Sequence, residues 1–314
     1  MASRGFQFQN NSCLTTVQNI LQILHFERKS CLRTLLASKI PKVLVPDKKQ
    51  IATMSNDVPS TSECQKWPRR LAAFDFDYTV VGQNTDTVLR DLLPREAITK
   101  DIDDIIEKDG WTRYMSEVFR LLHEHGCSPE KIRNTVSGIP EVPGMVKCLK
   151  TLRQQNCDVI IISDSNSIFI GEWLQTHGLA GCIEKVCTNP ADFEPNGLLT
   201  IKPYHHQTDC RLSATNLCKG KILEHFIMER DLRLGIKYKQ VTYVGDGNND
   251  ICPVLRLKES DLACARSGFG MAKNLEKNKV KLKLRAKLIY WNNGFDLLVQ
   301  LLESFGNNMQ ENNK

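Results

Sequence analysis

From Leu71 onward, short unbroken apolar runs alternate with longer stretches in which apolar residues recur every three or four positions. Leu71-Ala72-Ala73-Phe74, Asp158-Val159-Ile160-Ile161-Ile162 and Val241-Thr242-Tyr243-Val244 are of the first kind, and Leu262-Ala263-Cys264-Ala265 makes a fourth. A run without polar alternation suits a strand buried on both faces, as in a parallel sheet covered by helices. Each run is followed at once by polar or glycine-rich residues, where a loop would leave the strand's carboxyl end. Helical spacing over 145–152, introduced by Pro143-Gly144, and over 222–227, after Lys219, supplies the intervening helices. The pattern predicts an α/β fold with a doubly wound parallel sheet and a ligand site at the carboxyl ends of its strands.

Two stretches break the rhythm. Between about Asn84 and Val142 there are helical patches (Val88-Leu89-Leu92-Leu93, Ile102-Ile105-Ile106, Met115-Val118-Phe119-Leu122) and no convincing strand. An all-helical insertion after the first strand is placed to cover the strand ends, so 84–142 is expected to be a cap on a core formed by 69–83 and 143–305. Residues 306–314 are polar and expected to be a disordered tail. Residues 1–68 differ in kind: rich in Ser, Thr and Asn, basic, with an amphipathic spacing at Val17, Ile20, Leu21 and Leu24. Such a leader suits either a mitochondrial transit peptide or an unstructured extension of a cytoplasmic protein, with Met54 as a second plausible start.

The net charge of +6 first suggests an anionic partner. Residues 1–50, however, hold eight Lys/Arg against two acids, so the leader carries the whole excess and the remaining 34 basic and 34 acidic residues cancel. A nucleic-acid binder would need a basic field over its folded part. No apolar run approaches the ~20 residues of a membrane-spanning helix. The twelve cysteines are scattered from Cys13 to Cys264 without a C-x-x-C pair, which points to free thiols in a reducing compartment.

Candidate chemistry gathers at the strand ends. Asp75-Phe76-Asp77-Tyr78-Thr79 follows the first strand directly, and Gly245-Asp246-Gly247-Asn248-Asn249-Asp250 follows the third. Paired carboxylates there can bind a metal, act as nucleophile and acid/base, or do both. Alternatively they cap helices. Ser163 ends another strand as Ile162-Ser163-Asp164, and Lys219-Gly220 opens a helix before the acidic loop. These four elements, in this order, resemble the signature of the haloacid dehalogenase superfamily.

The resemblance implies a phosphatase in which Asp75 is the nucleophile that forms an aspartyl-phosphate and Asp77 the general acid and base. It implies Mg²⁺ held by Asp75, Asp246 and the main-chain oxygen of Asp77, with Asp250 in the outer shell. Ser163 would bond a phosphoryl oxygen, Lys219 would pair with phosphate and Asp75, and Thr79 would orient the motif; Lys221 is the rival for the lysine's place. A dehalogenase needs no second acid at Asp77, and the Lys-Thr that follows the nucleophile in P-type pumps is absent.

Asn189-Pro190, Asn216-Leu217-Cys218-Lys219 and the Ile251-Cys252-Pro253 ending narrow the likeness. From about Leu71 to Leu301 the chain is similar to the phosphoethanolamine/phosphocholine phosphatase family, which also has members associated with pyridoxal 5′-phosphate. Asp86 and Asp164 match its acidic substrate positions and suit an ammonium head group, so phosphoethanolamine or phosphocholine is the expected substrate and pyridoxal 5′-phosphate the alternative. Asp86 could instead simply cap a helix. A catalytically idle binding protein is a further alternative, although every expected position is occupied. Trp111 and Tyr114 are expected in the core of the cap. His205, Cys210 and Cys218 hint at a zinc site, but their spacings lack a zinc knuckle, and ordinary packing is the expected role.

Overall fold

The computed structural model describes residues 69–310. The leader, with its amphipathic stretch at 17–24, lies outside the described residues. Six parallel strands form the central sheet: β1 (Arg70–Phe74), β2 (Cys157–Asn166), β3 (Lys185–Asn189), β6 (Gln240–Gly245), β7 (Leu262–Arg266) and β8 (Lys287–Trp291), in the order β3-β2-β1-β6-β7-β8. A hairpin of β4 (Ala191–Phe193) and β5 (Leu199–Ile201) stands apart.

The absence of polar alternation in the central strands has a direct cause. Successive side chains of a strand point to opposite faces, and both faces of this sheet are buried. Ala72, Phe74, Val159, Ile161 and Val244 face one core, closed by α5 (Met145–Gln154), α6 (Ser167–Thr176) and α10 (Gly294–Gln310). Leu71, Ala73, Ile160, Ile162 and Tyr243 face the other, closed by α7 (Lys219–Leu234) and α9 (Gly270–Leu282). Each fully buried large apolar side chain is worth roughly 1.5–3 kcal/mol.

From β1 the chain winds outward through β2 and β3; after β6 it winds the opposite way through β7 and β8. The reversal between β1 and β6 opens a crevice at their carboxyl ends. Phe74 pairs in register with Val244, so the residues that follow each strand emerge side by side.

The insertion after β1 contains α1 (Thr85–Arg90), α2 (Lys100–Asp109), α3 (Trp111–Glu124) and α4 (Pro129–Ser137), with no strand. The β4–β5 hairpin joins this layer: Leu199 shares a core with Met115, Val118 and Phe119, and the Arg133 guanidinium lies 4.9 Å from the Phe193 ring centroid. α10 continues past Gly306 to Gln310, so 306–310 is helical and not the frayed tail its polarity suggests. Leu301 and Phe305 anchor that helix in the core. No helix among the described residues is long and apolar enough to cross a membrane.

Candidate active site

The site is assembled where β1 and β6 end. Phe76 turns into the apolar core, which leaves its neighbours Asp75 and Asp77 to line the crevice. The chain then folds tightly, with the amides of Thr79, Val80 and Val81 all donating to the Phe76 carbonyl. Tyr78, at the turn, takes φ 54°, an uncommon value for a residue with a side chain. The turn brings Thr79 to Asp246, 3.3 Å away across the β1–β6 boundary.

Lys219 begins α7 and is fully buried. Its Nζ lies 2.7 Å from Asp75 Oδ2 and 2.8 Å from Asp250 Oδ1. Lys221, on the opposite side of the same turn, pairs with Asp209 at the surface, so the lysine that meets the carboxylates is Lys219. Asp250 is saturated: Oδ1 also accepts from the Tyr243 hydroxyl at 2.7 Å, and Oδ2 accepts the amides of Asp246 and Gly247 at 3.0 and 2.9 Å. The acidic loop can fold back this far because Gly245 has no side chain; a Cβ there would lie 2.4 Å from Asp250 Cγ.

Oxygens of Asp75, Asp246 and Asp250 fall within 4.8 Å of one another. Burial, and then the charge of Asp250, push the Asp75 carboxyl well above its ordinary value against the pull of Lys219. The same causes raise Asp246 to about 7. Three buried acids around one lysine are short of positive charge. An all-oxygen donor set with that deficit fits a hard divalent cation such as Mg²⁺. Asp250, with its lone pairs committed, suits an outer-shell place; Asp75 and Asp246 suit direct ligation.

Asp77 is held by Thr85, whose amide reaches Oδ1 at 3.0 Å and whose hydroxyl reaches Oδ2 at 3.2 Å. The Thr85 hydroxyl also meets Ser165 Oγ at 2.8 Å. Burial, followed by the nearby Asp86 charge, raises the Asp77 carboxyl well above its usual range. A shift in that direction favours the protonated form, which suits a group that donates a proton.

Asp86 does not cap α1. Asn84 does, accepting the Thr87 amide, so the capping alternative gives way to a residue that lines the cavity. Asp86 Oδ2 accepts the indole N–H of Trp111 at 2.7 Å, while its buried Oδ1 has no partner. Burial lifts its carboxyl to about 7, with Trp111 pulling downward and Asp164 upward. Trp111 is thus half-buried against the core and also a wall of the cavity, whereas Tyr114 is buried as expected. Asp164 also lines the cavity, tied to Asn249 at 3.0 Å. Ser163 is fully buried, its Oγ accepting the Ser165 amide at 3.2 Å, and it is not part of the cavity wall.

The space bounded by Asp75, Asp77, Asp86, Trp111, Asp164 and Asp246 is about 180 Å³. A larger hollow of about 250 Å³, lined by Tyr204, His205, His206, Lys221 and His225, contains none of these carboxylates. Thr85, Ser165, Tyr243 and Asn249 are the participants that sequence reasoning missed. Asn249, inside the acidic loop, and Ser165, in the run Ile162-Ser163-Asp164-Ser165-Asn166, stood in motifs; Thr85 and Tyr243 act through hydrogen bonds that no spacing announces.

A family model described as "Putative Phosphatase" matches residues 70–305. The mouse (Mus musculus) protein "Pyridoxal phosphate phosphatase PHOSPHO2" is 36% identical over 234 residues, 74% of this chain and 96% of the relative. The human (Homo sapiens) "Phosphoethanolamine/phosphocholine phosphatase" is 31% identical over 238 residues, 74% of this chain and 88% of the relative. A solved structure titled "Phospho-Aspartyl Intermediate Analogue of Phosphoserine phosphatase" aligns over 75% of this chain and 99% of its own, with TM-score 0.48 and 17% identity, too distant to bear on activity. With the strand-end motifs assembled around one crevice and the family model spanning the described fold, the chain belongs to this phosphatase family of the haloacid dehalogenase superfamily and is a phosphatase.

Proposed function

We propose that this phosphatase hydrolyses a small phosphomonoester whose leaving group carries a positively charged N–H donor, phosphoethanolamine first, through an aspartyl-phosphate on Asp75. The observation that carries the substrate reading is the unpartnered, buried Oδ1 of Asp86 on the cavity wall. A buried acceptor left unmatched costs about 1–3 kcal/mol, which a donor on the ligand would recover. The primary ammonium of phosphoethanolamine can supply that donor. The quaternary ammonium of phosphocholine has no N–H and would rely on an aromatic face, which Trp111, already bonded to Asp86, and Tyr78 offer on the cavity wall, but it would leave Asp86 Oδ1 without a donor. Pyridoxal 5′-phosphate is the second reading, supported by its protonated ring nitrogen and by the name of the 36% identical relative.

In this reading the Asp75 carboxylate attacks phosphorus, steadied by the Phe76 amide at 2.7 Å on Oδ1 and by Lys219 on Oδ2. Asp77, whose burial favours its protonated form, protonates the departing alkoxide oxygen, and its carboxylate then takes a proton from the water that hydrolyses the acyl phosphate. Thr85 fixes the direction in which that proton moves. Thr79 holds Asp246 in place. Mg²⁺, held by Asp75 and Asp246 with Asp250 behind them, would supply the positive charge that lets a carboxylate approach a dianionic ester. Ser163 is assigned the phosphoryl contact implied by the family likeness; its Oγ accepts the Ser165 amide and keeps its own proton to donate.

The test is phosphate release from phosphoethanolamine, pyridoxal 5′-phosphate, phosphocholine and glycerol phosphate, each with Mg²⁺ and with EDTA. Asp75→Asn should abolish turnover of all four. Asp86→Asn should raise KM roughly 10-fold or more for the two N–H-bearing esters, the loss of a charged hydrogen bond, and leave glycerol phosphate nearly unchanged. Equal effects on all esters would assign Asp86 to architecture and end the substrate reading.

A further inference from the structure

Away from the phosphate crevice, three cysteines from separate segments converge. Cys210 lies in the long connection after β5, Cys218 immediately precedes α7, and Cys252 follows the acidic loop. Their sulfurs are 3.4 Å (Cys210–Cys252) and 3.6 Å (Cys218–Cys252) apart, and all three fall within 4.8 Å. Cys218 and Cys252 are buried, while Cys210 is half-buried. Packing cysteines elsewhere look different: Cys148 and Cys264 sit within the apolar core, and burial drives their thiols far above the ordinary value.

We propose that Cys210, Cys218 and Cys252 form a thiolate site for a soft divalent ion, zinc first, that fastens the start of α7 to the acidic loop. Zinc–sulfur bonds of about 2.3 Å in a tetrahedron place the sulfurs about 3.8 Å apart, close to the two short separations here. The fourth position falls to water or to Ser213, whose hydroxyl is 3.5 Å from the Cys210 sulfur. Binding releases one proton from each thiol, and three thiolates around a divalent ion leave one net negative charge. The Arg256 guanidinium, 3.9 Å from the Cys218 sulfur, is placed to balance it. Burial opposes ionisation of Cys210, but hydrogen bonds from Ser213 and Cys252 bring its thiol down to about 7.

His205 is not a ligand in this site: its Nε2 accepts the Cys218 amide at 2.9 Å, which orients the segment leading into α7. The zinc set suggested by the sequence, His205 with Cys210 and Cys218, therefore loses the histidine and gains Cys252. Gly220 shows how closely the parts fit, since a Cβ there would lie 2.7 Å from the Cys252 sulfur and 2.4 Å from Arg256 Nε. The ion would join the residue before Lys219 to the residue two beyond Asp250, the two ends of the buried ion pair that meets the nucleophile. Its role is structural.

The test measures metal content of the full chain, purified with a reductant and without immobilised-metal resin, by plasma mass spectrometry. About one zinc per chain is expected, falling at least tenfold in Cys210→Ser and in Cys252→Ser and unchanged in Cys127→Ser, which lies outside the cluster. Cys210→Ser keeps the test sound should Cys252→Ser fail to fold. Exchange with Co²⁺ should give the near-ultraviolet thiolate charge-transfer bands and strong visible bands of a tetrahedral site, both lost in Cys210→Ser. A wild-type chain without zinc after dialysis against it, equal zinc in Cys210→Ser, or a disulfide within the cluster in place of metal would each overturn the proposal. None of these readouts depends on phosphate release, so the phosphatase reading stands or falls separately.

Discussion

Replacing Lys219 with methionine keeps most of the buried stem and deletes the charge between Asp75 and Asp250. The lysine is about 1% exposed, and its two carboxylate partners are no more than 5% exposed, so water cannot take the place of the ammonium. Removing one partner of a buried ion pair costs about 3–5 kcal/mol because the remaining charges are left uncompensated. In a domain of this size each kcal/mol is worth about 2–4 °C, so the melting temperature should fall by roughly 6–20 °C. Asp250→Asn should also destabilise. The double variant should lose less than the two singles combined, with a coupling of at least about 1 kcal/mol, because the stranded charge is then relieved. Urea unfolding followed by tryptophan fluorescence supplies the three values. The rate of phosphate release at saturating Mg²⁺ should drop about 10²- to 10³-fold, as when one preorganised charge-stabilising donor is lost. A Lys219→Met chain that melts within about 2 °C of wild type and turns over at near-normal rate would refute the claim that this cation neutralises the surroundings of Asp75.

Gly245→Ala would place a Cβ 2.4 Å from Asp250 Cγ, so Asp250 must withdraw from Lys219; turnover should fall at least ~10-fold, and a fully active variant would show that the close approach is dispensable. Asp86 and Asp246 are both raised to about 7, chiefly by burial, so the folded chain holds protons there that the unfolded chain releases near pH 4. Their contribution is therefore present below about pH 4 and lost as pH rises through 7; thermal melts in EDTA should show a decline across that window that is shallower in Asp86→Asn, and an unchanged slope would refute it. Trp111→Phe removes the indole donor from Asp86 while keeping an aromatic wall, so the pH at which KM for phosphoethanolamine improves should move upward; no movement would mean that the Trp111–Asp86 bond does not tune the cavity.

The central strands were legible because burial on both faces leaves a continuous apolar run, as in β1, β2, β6 and β7. β3 and β8 were not. They are the sheet's outer strands: Lys185, Val186 and Lys287 are exposed, and Tyr290 is 37% exposed, so neither offers an unbroken run. The same reasoning explains α4, a short helix whose start is marked by Ser128, accepting the Lys131 amide, and by Pro129 at its first turn. Its cap was there to be found, but its apolar face rests on Ile132 and Val136 alone. The hairpin from 191 to 201 escaped because three-residue strands have too little period to detect.

The five residues that make the charged centre, Asp75, Asp77, Lys219, Asp246 and Asp250, could be named from sequence because the order of their motifs resembles a known signature. Their places at strand ends and at a helix start made a meeting point at one sheet edge the expectation. The residues that set their direction could not, since Thr85 reaches Asp77 across a turn and Ser165 reaches Thr85 across 80 positions. The glycines occupy a middle case. Gly245 and Gly220 look like turn residues in a motif, yet Gly245 admits the Asp250 side chain and Gly220 admits Cys252 and Arg256. A substitution at either position therefore acts on a side chain elsewhere before it acts on the backbone: at Gly245 on Asp250, a direct partner of Lys219, and at Gly220 on Cys252 and Arg256, beside the turn that carries Lys219. The lysine's ammonium is held by the two carboxylates it meets, Asp75 and Asp250. On the proposed mechanism that buried ammonium stands where a dianionic ester would arrive, which is why its loss is expected to cost both stability and turnover.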